Sequence, residues 1–198
     1  MCGMVHRDIK PGNIFVCRYG REVDFVKVLD FGLVKRVGRE AKRDHQLTAI
    51  GTFTGTPAYG SPEAAMTERE EIDARSDIYS LGCVAFFLLT GRTVFEAPSP
   101  MMMLVKHVKE TPEPPSTYSE LGIPTALDEL ILQCLRKDAR HRPGSAEAVA
   151  ARLDAITVRE PWTRERARQW WDLHAPESAT RPMTPAAEEE HLSIRQAT

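Results

Sequence analysis

Residues 75–90 constrain the fold of this 198-residue chain more than any other stretch. Ile78, Leu81, Val84, Ala85, Phe86, Phe87, Leu88 and Leu89 leave almost no polar face, and a helix that is apolar on all sides belongs at the centre of a domain. Gly91 supplies its C-terminal stop. Other helices must then surround it. Leu127, Leu130, Ile131, Cys134 and Leu135 fall at i, i+3, i+4, i+7 and i+8, the spacing of an amphipathic helix. Ser145 is placed to cap another, with Ala146, Val149, Ala150 and Leu153 facing inward. Residues 99–110 form a Met-rich helical candidate, followed by Pro-rich turns through Pro115.

Nearer the N-terminus the pattern is different. Residues 14–18 and 24–29 are rich in β-branched and aromatic side chains, and Tyr19-Gly20-Arg21-Glu22 between them predicts a hairpin. Residues 33–61 hold Gly38, Gly51, Gly55 and Gly60 with little periodicity, the mark of a long functional loop. After about residue 157 the composition shifts. Residues 158–174 read as a short helical extension whose Trp162, Trp170 and Trp171 pack on the domain rather than bind a ligand. Residues 175–198, with three prolines and Glu188-Glu189-Glu190, read as a disordered tail.

Composition excludes several functions. A net charge of −2 gives no electrostatic reason for nucleic acid or an anionic membrane as partner. Cys2, Cys17, Cys83 and Cys134 form no CxxC pair and no metal spacing with histidine, so reduced thiols in a cytoplasmic protein are expected. The longest apolar run, Cys83 to Leu89, is too short to span a bilayer.

Chemistry is concentrated in two motifs. His6-Arg7-Asp8-Ile9-Lys10-Pro11-Gly12-Asn13 is followed, seventeen positions after Asn13, by Asp30-Phe31-Gly32. Further on stand Gly55-Thr56-Pro57-Ala58-Tyr59-Gly60-Ser61-Pro62-Glu63, Ser76-Asp77-Ile78-Tyr79-Ser80-Leu81-Gly82 and Asp138-Ala139-Arg140-His141-Arg142-Pro143. Together these make residues 1–157 resemble the C-terminal lobe of a Hanks-type (eukaryote-like) serine/threonine protein kinase of the bacterial branch. The fold class this implies is α+β, mostly α, with a short hairpin at the catalytic cleft. Ser61 departs from the family, which usually has alanine there.

The resemblance implies phosphoryl transfer from ATP, with Mg²⁺, to a serine or threonine of a protein substrate. This reaction asks the protein mainly for positioning and charge neutralisation. Asp8 would accept the proton of the attacking hydroxyl and Lys10 would balance charge on the transferred phosphate. Asn13 and Asp30 would offer the oxygens that Mg²⁺ prefers. Thr56 would hydrogen-bond Asp8 and Lys10, a pairing typical of the serine/threonine branch. Phe15 would form the apolar floor beneath the adenine. Asp77 would hold the catalytic loop by its backbone N–H groups, and Glu63 with Arg142 would form the buried ion pair tying the substrate segment to the late helices. Arg7, directly before Asp8, implies control by loop phosphorylation, with Thr52 the first candidate site and Thr48 and Thr54 the next.

Only five residues precede His6, and neither a Gly-rich phosphate loop nor a strand lysine stands before Asp8. The N-terminal lobe is therefore expected to be a missing partner segment. The chain alone is expected to be inactive and poorly soluble, with one side of Phe86 and Phe87 uncovered. An internal start or fragment of a complete kinase is the favoured explanation. A non-catalytic pseudokinase-like interaction module is the alternative, and a small-molecule phosphotransferase is a third reading that Thr56 through Glu63 and Arg142 oppose.

Overall fold

In the computed structural model, which describes residues 5–30, 56–66, 72–120 and 122–175, a hairpin comes first. Strand β1 (Ile14–Tyr19) and strand β2 (Glu22–Val28) form a two-stranded sheet. The two-residue connection uses Gly20 at φ 60°, a left-handed conformation that costs glycine nothing. Six α-helices follow among the described residues: α1 (Pro62–Ala65), α2 (Ala74–Thr90), α3 (Pro100–Lys109), α4 (Thr125–Cys134), α5 (Ala146–Asp154) and α6 (Arg164–His174). The described residues are thus mostly helical with one small sheet. The 33–61 loop up to Gly55, and the 175–198 tail beyond Ala175, lie outside them.

Two compact units divide the chain: Met1–Val16 with Val26–Arg159, and Cys17–Phe25 with Glu160–Thr198. In the first, α2 is the central element. Asp73 caps its start by accepting the Arg75 N–H at 2.7 Å, and Gly91 ends it at φ 68° with its N–H on the Phe87 carbonyl. Tyr79, Cys83 and Phe86 pack with Ile131 and Leu135 in one cluster, while Ile78 packs with Leu130, Cys134 and Val149 in a second. Each fully buried side chain of this size contributes about 1.5–3 kcal/mol. Gly82 lets α2 and α4 approach, since a Cβ there would stand 2.8 Å from that of Cys134.

Two expectations need correction. Phe86 is buried (1 % exposed), because Ile131, Leu135 and the edge of the Tyr118 ring cover it; Phe87 is half-buried, and the large apolar residue that α2 leaves exposed is Leu88, at 73 %. On α5, Ser145 does cap the helix by accepting the Ala148 N–H, but only Val149 is buried. Ala146, Ala150 and Leu153 face solvent because α5 meets the core along a single line of contact.

α3 starts at Ser99, whose hydroxyl accepts the Met102 N–H. It delivers His107 into full burial, with Nδ1 2.9 Å from the Tyr79 hydroxyl and the ring edge-on to Phe95. Lys137 donates to the His107 carbonyl at 2.7 Å and lies 4.8 Å from the Phe95 ring centre. Burial, then the Lys137 charge, holds the His107 imidazole down at about 4; burial likewise lowers Lys137 to about 8.

A neutral buried histidine binds fewer protons than the same residue in the unfolded chain. Its stabilising effect is complete above about 6.5 and is lost as the pH falls from there through about 4. His107→Gln should therefore flatten the acid limb of stability against pH by about 3 kcal/mol relative to wild type, read by urea unfolding at pH 7, 5.5 and 4. An unchanged slope contradicts the placement.

Candidate functional site

The loop from His6 to Asn13 is fastened at its start by one carboxylate. Asp77, in the first turn of α2, accepts the His6 N–H through Oδ2 at 2.7 Å and the Arg7 N–H through Oδ1 at 2.8 Å. Burial raises the Asp77 carboxyl above its ordinary value, and these two N–H groups work against that rise. The His6 ring is also fixed. Its Nδ1 accepts the Asp8 N–H at 3.3 Å, which leaves Nε2 to donate to the Leu29 carbonyl at 3.1 Å.

Asp8, Lys10 and Asn13 are brought together by this fastening. Lys10 Nζ lies 2.7 Å from Asp8 Oδ2, and Asn13 Nδ2 donates to the same oxygen at 3.0 Å and to the Asp8 carbonyl at 2.9 Å. Pro11–Asn13 form a 3-10 turn, which Pro11 pre-sets at its first position. With the amide nitrogen committed to Asp8, Asn13 Oδ1 receives no hydrogen bond from the described residues. It is the atom that a hard cation would take. The Leu29 N–H donates to the Asn13 carbonyl at 2.8 Å and brings the chain before Asp30 beside Asn13. Asp30 itself is exposed at φ 61°. Two oxygen donors suffice for Mg²⁺, which keeps phosphate and water as its other ligands, so this donor set fits it.

Phe15 is 51 % exposed on β1, an uncovered apolar ring close in sequence to Asn13. Arg7 has φ 68°, and its Nε is buried without a hydrogen-bond partner among the described residues. Thr56 is half-buried, and its hydroxyl makes no hydrogen bond to Asp8 or Lys10. Phe31, Gly32, Thr48, Thr52 and Thr54 lie outside the described residues.

The segment Pro57–Glu63 is held from below. Ser80 donates to the Tyr59 carbonyl at 2.7 Å, and Ser76 donates to Glu63 Oε1 at 2.6 Å. Both serines stand in the Ser76–Gly82 motif without a role read for them; their i, i+4 spacing, which puts them on one face of α2, is the available signal. Ser61, the departure noted above, is the N-cap of α1 and accepts the Ala64 N–H.

Glu63 and Arg142 meet as a two-pronged pair, NH1 to Oε1 at 2.7 Å and NH2 to Oε2 at 2.8 Å, with side chains 6 % and 0 % exposed. The guanidinium also donates to the carbonyls of Arg75, Arg136 and Lys137, so all five of its N–H groups are used. Burial pushes the Glu63 carboxyl up, but the hydrogen bonds and charge of Arg142, with the Ser76 hydroxyl, more than offset it and hold Glu63 below its ordinary value.

Residues 1–153 match the family model described as protein kinase domain. Among curated relatives, the serine/threonine-protein kinase Pkn3 of Myxococcus xanthus is 42 % identical over 155 residues, 78 % of this chain and 28 % of its own length. The serine/threonine-protein kinase PknB of Mycobacterium tuberculosis is 38 % identical over 159 residues, 80 % of this chain and 24 % of its own. The chain spans about a quarter of the length of the curated relatives it matches.

Arg142→Ala would leave Glu63 buried without its partner. The expected cost is about 3–5 kcal/mol, read as a lowered denaturation midpoint. A loss under about 1 kcal/mol, the range of an exposed pair, would contradict it.

Proposed function

This chain belongs to the protein kinase family, and on that premise we propose that it is the catalytic lobe of a serine/threonine protein kinase. The reaction is transfer of the γ-phosphoryl group of ATP to a protein hydroxyl. The observation that carries this reading is the Asp8–Lys10–Asn13 cluster, one carboxylate held by an ammonium and an amide on a loop pinned to α2.

Asp8 accepts the proton of the attacking serine or threonine hydroxyl. Asn13 orients it by donating to Oδ2, and Lys10, paired to that oxygen at 2.7 Å, supplies the positive charge for the transferred phosphate. Asn13 Oδ1 and Asp30 would hold Mg²⁺, which when bound neutralises phosphate charge. Phe15 offers an apolar face for the adenine. Thr56 lines the substrate side, at the start of the segment that Ser80, Ser76 and Arg142 anchor. The unpartnered Arg7 Nε supports control by a phosphorylated loop, with Thr52, then Thr48 and Thr54, as acceptors.

This chemistry also needs a lobe that carries a phosphate loop and a lysine–glutamate pair, and no stretch of the 198 residues has either motif. The test is phosphate transfer from labelled ATP to a protein substrate by residues 1–198 joined to such a lobe. Asp8→Asn is expected to lower kcat at least ~100-fold, and Asp30→Asn to raise the Mg²⁺ concentration required. Transfer unaffected by Asp8→Asn contradicts the reading, and the 198-residue chain alone should transfer nothing.

A further inference from the structure

Among the described residues, three other than glycine have positive φ: Arg7, Asp30 and Asp24. The first two belong to the candidate site. Asp24, at φ 58° within β2, does not. Such backbone conformations persist where the surroundings enforce them, and they cluster at positions with a task.

The surroundings of Asp24 are specific. Trp162 Nε1 donates to its Oδ2 and Trp171 Nε1 donates to its Oδ1, each at 2.6 Å. An indole N–H is a donor only, so one carboxylate satisfies both rings. Arg18 on β1 donates to Asp172, and its guanidinium lies 5.9 Å from the Trp171 ring centre. Arg164 reaches the Arg21 carbonyl in the turn at 3.4 Å. Residues 162–172 therefore touch β1, the turn and β2 in one span. The helix that presents them is capped by Thr163 and buries Ala167. Arg18–Asp172 is an exposed ion pair of the kind that contributes little; the two indole–carboxylate bonds define the contact.

A two-stranded sheet is marginal by itself in water. A one-residue slip of its register would turn every side chain to the opposite face. Among the described residues the sheet has two strands, β1 begins directly after Asn13, and β2 ends two residues before Asp30. The spacing of those two oxygen donors thus depends on a hairpin that needs an outside restraint.

We propose that residues 160–175 are a strap keyed to the hairpin tip by Asp24, and that Asp24 is a positioning residue that fixes the register between Asn13 and Asp30. The positioning role rests on the metal reading given under Proposed function; the strap does not. Replacing both indoles by rings of similar shape without the donor separates the hydrogen bonds from packing.

The experiment compares the 198-residue chain with its Trp162→Phe/Trp171→Phe and Asp24→Asn variants. Hydrogen exchange is followed over residues 14–28, with α2 and α4 as internal controls, and Mn²⁺ serves as the metal probe through broadening at Asn13 and Asp30. In the double variant, hairpin exchange is expected to accelerate at least tenfold while α2 and α4 stay protected, and Mn²⁺ affinity to fall at least threefold. Asp24→Asn, which tolerates the left-handed φ but keeps one acceptor, should fall between. Unchanged hairpin exchange, or acceleration shared equally by α2 and α4, overturns the strap. Faster hairpin exchange with unaltered Mn²⁺ affinity overturns the positioning role. A wild-type chain that shows no Mn²⁺ broadening refutes the metal reading and the positioning role together, and exchange alone then judges the strap.

Discussion

Asp77 binds two consecutive backbone N–H groups at the N-terminal turn of a buried helix, and the arrangement of the site follows from that contact. A loop rich in polar side chains has many conformations of similar energy. Fixing His6 and Arg7 to the two oxygens of one carboxylate removes most of them, because both the position and the direction of the chain are then set. Hydrogen bonds to a charged acceptor are also stronger than neutral ones. From there the loop closes on itself: the His6 ring ties Asp8 to Leu29, and Asn13 and Lys10 close around Asp8. The rigidity comes from α2, whose remaining length is packed against α4.

The same helix holds the second half of the site. Ser76 and Ser80 rise from α2 to Glu63 and to the Tyr59 carbonyl, and Arg142 closes the arrangement from the other side. A buried ion pair often contributes no more stability than apolar residues of equal volume would. Its value here is geometric: five N–H groups with five separate acceptors allow the guanidinium one orientation, and the segment from Pro57 to Glu63 is registered to the late helices accordingly. The His6–Asn13 loop and the Pro57–Glu63 segment are thus referred to one element, α2.

Much of this was legible in the sequence for physical reasons. α2 could be read because a helix without a polar face has one place to go, and its end because Gly91 takes a left-handed φ cheaply. That Asp8, Lys10 and Asn13 lie together could be read because fixed spacing of chemical groups survives in a linear string. Other features were not legible. The burial of Phe86 depends on Ile131, Leu135 and Tyr118, residues distant in sequence. Periodicity placed Leu153 inward, yet α5 touches the core only through Val149. His107 looks like a polar residue on a helix, and only the fold brings it to Tyr79 and Phe95. The tryptophans were expected to pack, yet Trp162 and Trp170 are exposed; that the N–H groups of Trp162 and Trp171 converge on Asp24, more than a hundred residues earlier, has no local signature.

The claim on which this account stands is that α2 sets the His6–Asn13 loop through Asp77. Amide exchange at His6 and Arg7, measured by NMR in Asp77→Ala against wild type, tests it most directly. The account predicts exchange at both amides at least about tenfold faster, consistent with the loss of hydrogen bonds to a charged group, with protection along α2 and α4 retained. Equal protection of His6 and Arg7 in the two proteins would contradict it.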